Sequence, residues 1–151
     1  MAKKTSTKLG TIPEFVNEVE QNPIAEARRY IKNAKDILKK YGNKGAILEG
    51  YYQDPKYVKM AGNTAWNGVL VAMEAVFELK TTMKKGQRAG YYDYLKKIAK
   101  TNYKILTLFE SAYDTLHKSM GYDGQLSVKI ATAAIEAASS VIDWCESKYS
   151  E

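Results

Sequence analysis

The chain has one cysteine, one histidine and three prolines in 151 residues. A lone cysteine, Cys145, forms no disulfide within the chain, so the fold rests on its core, and the count points to a reducing compartment. A lone histidine, His117, excludes a di-iron bundle, which takes two His-bearing helical motifs and further glutamates from facing helices. Zinc hydrolase sites built on histidine and cysteine fail by the same count. Long apolar runs are lacking too: no segment reaches the roughly 20 residues of a membrane-spanning helix. The opening MAKKTSTKLG has no apolar stretch of the kind a secretory signal carries. The expected place is the cytoplasm, with no membrane partner. There is no P-loop and no dinucleotide fingerprint; the glycines of AGNTAWNG have the wrong spacing and suit close helix packing. No strand pattern, internal repeat or low-complexity tract competes with a helical reading.

What is present is helical periodicity on a well-stocked core. Apolar residues make up 45% of the chain and charged residues 26%. A single domain of this length buries about two thirds of its unfolded surface. Residues 1–22 read as a tail carrying a short helix opened by Pro13, and 23–149 as one helical domain. Asn22-Pro23 starts the first main helix, which runs to about Tyr41 on the stripe Ile24, Ala27, Ile31, Ala34, Leu38. Asp54-Pro55 repeats the signal for a second helix over roughly 55–80. A short helix is expected over 91–100 and a longer one over 102–120, with one continuous helix as the alternative, on Ile105, Phe109, Ala112, Leu116 and Met120. Gly121 is placed to end it. Tyr122-Asp123-Gly124 reads as a turn, with Asp123 bonding to backbone N–H groups before the next helix. Ser127 caps the last helix, on Val128, Ala131, Ile135, Ala138, Ile142 and Cys145. The expected fold is all-α, an up-down four-helix bundle with additional short helices.

The second of these helices stands apart. Residues 60–73 contain no charged side chain. Val58, Ala61, Ala65, Val69, Ala72, Val76 and Leu79 fall at helical spacing, which marks it as the most buried helix. Asn63, Thr64 and Asn67 interrupt it. Buried amides must be hydrogen-bonded, so they read as an internal network, with a small polar pocket or a polar homodimer seam as the alternatives. Trp66, Leu70, Met73 and Phe77 lie partly off the main stripe, which suggests apolar surface left for a second copy.

Net charge is +6 and unevenly placed. Arg28, Lys32, Lys35 and Lys39 form a stripe on the first helix. Lys97, Lys100 and Lys104 follow Tyr91, Tyr92 and Tyr94. Basic residues beside aromatic rings make single-strand binding surfaces, and such a field favours an anionic partner, either nucleic acid or an acidic protein. A second cluster lies where the third main helix ends: Asp114, His117, Tyr122 and Asp123, with Tyr113 beside them. Asp114 precedes His117 by one turn and could orient an imidazole, the group that changes charge near neutral pH.

The pieces AEARRYIKNAKDILKKY, VKMAGNTAWNGVLVAMEAV and SAYDTLHKSMGYDG, followed by a small-residue helix, resemble the HEPN superfamily. They resemble still more closely an uncharacterised bacterial family of helical domains, over residues 24–146. The HEPN resemblance implies a helical bundle that dimerises. Active HEPN ribonucleases carry an Arg followed four to six residues later by a His near the end of the third main helix. Here His117 stands about where that Arg belongs and Tyr122 about where the His belongs. Arg28, Arg29 and Arg88 all lie elsewhere, so the ribonuclease motif is missing. The resemblance then implies a non-catalytic member, a partner- or nucleotide-binding module. The expectation is a non-enzymatic, HEPN-like interaction module, a homodimer with no catalytic residue, metal or cofactor. Binding of RNA, DNA or a nucleotide through the basic faces is the alternative, and a degenerate ribonuclease a more remote one.

Overall fold

The computed structural model describes residues 22–42, 50–80 and 103–150. Helix α1 spans Pro23–Ile37 and runs on through a π-helical turn, Leu38–Gly42. Helix α2 spans Pro55–Lys80. Helix α3 spans Tyr103–Ala112 and continues as a π-helical segment, Tyr113–Met120. Helix α4 spans Val128–Tyr149. The fold is all-α. Among the described residues no helix is long and apolar enough to cross a membrane. The expected tail and short helix before Asn22, and the helix expected over 91–100, lie outside the described residues.

Helices begin where the sequence places their starts. Asn22 Oδ1 accepts from the Ala25 N–H at 3.1 Å, and Ser127 Oγ accepts from the Ile130 N–H at 3.2 Å. Each satisfies one of the donors that a first helical turn leaves unpaired. Asp54 Oδ1 takes the Lys56 N–H at 2.9 Å at the head of α2. The far end of α3 stops where expected, with Met120 as its last residue and Gly121 as the C-cap, but without a left-handed cap conformation. Gly121 keeps a right-handed φ of −66°, and its N–H donates to the Leu116 carbonyl. The chain turns at Gly124, whose φ is +67°, a left-handed conformation that favours glycine. Asp123 does not cap α4. Its N–H donates to the Lys118 carbonyl, while Gln125 Oε1 and Ser127 serve the α4 end.

Helix α2 packs against α1, α4 and the π-helical segment. Val58, Ala61, Ala65, Val69, Ala72 and Val76 are fully buried, as the stripe requires. They share one core with Ile24 and Ala27 of α1, Ile105 and Phe109 of α3, and Ala138, Ile142 and Cys145 of α4. Two glycines let neighbours approach α2 closely. A Cβ on Gly62 would lie 2.6 Å from Met120 Cβ, and one on Gly68 would lie 2.8 Å from Tyr30 Cβ. Away from the core, the segments leading into α2 and α4 are tied together. Tyr52 N–H donates to the Leu126 carbonyl at 2.8 Å and Val128 N–H to the Gly50 carbonyl at 3.0 Å, around an antiparallel bridge of Tyr51 with Ser127.

Two expectations about α2 are corrected. Asn63 and Asn67 are exposed and Thr64 half-buried. They lie off the apolar stripe, and a lack of charge is not burial. Trp66, Leu70 and Met73 are 8%, 7% and 0% exposed. The helices of one chain cover these three, so they leave no apolar surplus for a second copy. The side chain of Phe77 lies outside the described residues.

Candidate functional site

The π-helical segment opens the helix by one residue per turn, through bonds from N–H to the fifth carbonyl back. It lies beside the exposed flank of α2, and the two build an aromatic cluster. Trp66 packs its ring 5.6 Å from Phe109 and 5.5 Å, edge-on, from Tyr113. The His117 ring lies 5.9 Å from Trp66 and 5.3 Å from Tyr113. Offset and edge contacts at these separations are the favourable arrangements of aromatic rings. Tyr113 is 42% exposed, and the His117 side chain is exposed as well. Asn63 Nδ2 donates to the Gly121 carbonyl at 3.2 Å, which joins the amide of α2 to the end of the π-helical segment.

The four residues expected to cluster here do not form a bonded constellation. Asp114 is drawn to Lys118, 3.9 Å away, instead of orienting His117. Lys118 also reaches over the Tyr113 ring at 5.9 Å. Tyr122 is 79% exposed, and its backbone N–H donates to the Lys118 carbonyl. Asp123 is exposed and bonds to the same carbonyl. His117 thus has ring partners in Trp66 and Tyr113 where a carboxylate partner was expected. Trp66 is the residue the site reading missed. Its signal was its place one helical turn after Gly62, facing the segment that Gly62 admits.

The basic stripe of α1 divides in two. Arg28 reaches across to α4, where it donates to Asp143 at 2.9 Å and Glu146 at 2.8 Å. Burial by itself lowers the Arg28 pKa, but the bonds to both carboxylates outweigh it and the net shift is upward. Lys32 pairs with Asp36 at 2.9 Å. These two cations are therefore engaged, contrary to the expectation of a free basic face. Lys35 and Lys39 have no carboxylate partner among the described residues and line an open groove between α1 and α4. Lys104 is exposed. Lys97 and Lys100 lie outside the described residues.

Cys145 is fully buried, with its Sγ 3.6 Å from Met73 Sδ. Burial pushes its thiol pKa up, and a thiol held protonated is a poor nucleophile. Among the described residues no group of three or more His, Cys, Asp or Glu side chains is placed to hold a metal ion.

The fold and this site define an all-α domain built round one buried helix, with an aromatic flank and a separate basic groove. Residues 22–147 match the family described as Domain of unknown function (DUF5618), and the chain belongs to that family. It is also similar in structure to a protein of unknown function from Dyadobacter fermentans. The identity is 39%, the TM-score 0.69, and the match covers 85% of this chain and 96% of that one. No curated protein matches the chain.

Proposed function

We propose that the protein is a non-enzymatic interaction module, a HEPN-like four-helix bundle that pairs with a second copy through the flank where α2 meets the π-helical segment. The observation that carries this reading is the character of that flank. Met60 is 44% exposed and Tyr113 42%, and the amides of Asn63 and Asn67 on α2 are exposed as well. The α2 side carries no charge over residues 60–73, and Asp114 and Lys118 stand at its edge as a pair. An uncharged centre that includes exposed Met and Tyr, with charges at the rim, fits the depletion of charge at the middle of protein interfaces. Light scattering on the full chain is expected to report twice the chain mass at micromolar concentration. Asn67→Lys, an exposed position, is expected to return the monomer mass with an unchanged melting temperature. A parent chain that stays monomeric across the micromolar range sinks the reading. Nucleic acid or an acidic protein at the α1 stripe is the weaker reading, because Arg28 and Lys32 are already neutralised by carboxylates.

A further inference from the structure

The groove between α1 and α4 has a volume of about 680 Å3 and is distinct from the α2 flank. Its base is apolar, made by Leu38, Ile135 and Tyr52, each less than a tenth exposed. Tyr52 is buried enough that its hydroxyl pKa is pushed upward. The α1 wall carries Lys35 and Lys39, four residues apart and so on one helix face. The α4 wall carries Thr132, Glu136, Ser139 and Ser140, spaced to share a face in the same way. None of these four polar side chains, nor either lysine, is engaged by another among the described residues.

Lys35 and Lys39 are unusual on their own helix. Arg28 is held by Asp143 and Glu146, Arg29 by Glu26 and Lys32 by Asp36. Lys40 sits over the Tyr41 ring at 5.5 Å. Every other cation of α1 and its π-helical turn thus has a carboxylate or a ring. Two like charges one turn apart disfavour each other, and here the pair faces a concavity furnished with hydroxyls. Two ammoniums match a dianion, and hydroxyls donate to the oxygens of the same group. Glu136 accepts hydrogen bonds and donates none when ionised, so it favours a ligand that also brings a hydroxyl or amine. The apolar base takes a flat or hydrocarbon body.

We propose that this groove binds a small phosphate monoester, its phosphate held by Lys35 and Lys39 and its body, bearing a hydroxyl or amine donor, laid over Leu38, Ile135 and Tyr52 towards Glu136. The proposal is independent of the pairing through α2, which uses none of these residues.

Titration calorimetry of the full chain at low salt tests it, with AMP, adenosine and inorganic phosphate as probes. AMP is expected to bind saturably, adenosine at least tenfold more weakly, and added salt to weaken AMP. The double variant Lys35→Gln, Lys39→Gln removes two exposed charges, so it is expected to keep its circular dichroism and melting temperature and lose AMP affinity by tenfold or more. Glu136→Gln is expected to weaken AMP while leaving inorganic phosphate unchanged, a split that a merely structural role would not produce. Absence of AMP binding up to millimolar concentration overturns the proposal. So does adenosine binding as well as AMP, or a folded double variant that binds AMP like the parent.

Discussion

Gly62 of α2 stands so close to Gly121 that a Cβ on Gly62 would lie 2.8 Å from the Gly121 backbone nitrogen. The obstacle is backbone, which cannot swing aside as a long side chain would. Replacing a mid-helix glycine by alanine ordinarily favours the helix by about 1 kcal/mol. At this position overpacking at about 1–3 kcal/mol outweighs that gain. Gly62→Ala is therefore expected to lower the melting temperature. A rise would show that the π-helical segment lies farther from α2 than described.

Ala65 is fully buried on the central stripe. Ala65→Asp sets a carboxylate in the core with no cation in the stripe to meet it, at a cost of several kcal/mol. Against a typical total stability of about 5–15 kcal/mol, loss of the cooperative thermal transition in circular dichroism is expected. A variant that melts like its parent would mean that α2 presents another face.

His117 and Tyr122 should separate cleanly. His117→Ala removes ring contacts with Trp66 and Tyr113, for about 0.5–1.5 kcal/mol. Tyr122→Phe alters a side chain that is 79% exposed, and surface changes of this kind stay within about 0.5 kcal/mol. Urea midpoints of the two variants give the comparison. Equal losses would place Tyr122 in the packing.

Stability is expected to fall in alkali. Burial raises the Cys145 thiol pKa above its ordinary 9.0 and the Tyr52 hydroxyl pKa above its ordinary 10.0. For both groups the folded state holds the proton where the unfolded chain releases it. Their contribution is therefore fully present below the unfolded values and is lost as pH rises past about 9 for Cys145 and about 10 for Tyr52. Denaturant midpoints between pH 7.5 and 10.5 should decline, and Cys145→Ala should flatten the earlier part of that decline. An unchanged slope in the variant would show that Cys145 is not the group responsible.

The helix starts were readable because capping is local chemistry. Asn22 and Ser127 each need only their own first turn, and the structure uses both as the sequence implies. The core stripe of α2 was readable because burial follows periodicity. Asn63 and Asn67 were misread for the same reason turned round, since their place off the stripe outweighs their uncharged surroundings. The π-helical segment left a faint trace. Ala112, Leu116 and Met120, all fully buried, are separated by two successive intervals of four, a wider step than an α-helix prefers, yet one that a 3.6-residue stripe also tolerates. Partners of the candidate residues were the least legible. Which carboxylate holds Arg28, and which ring receives His117, depends on how distant helices come together.

The bonds from Tyr52 to Leu126 and from Val128 to Gly50 bear on the order of events in folding. They close a long stretch of chain, and non-local closure carries its entropic cost before its contacts repay it. Closing this clasp requires that α2 and α3 bring their ends together, which makes it an expected late step of folding. Once shut, it joins the segment leading into α2 to the head of α4, so that the entry to one helix is anchored on the start of the other.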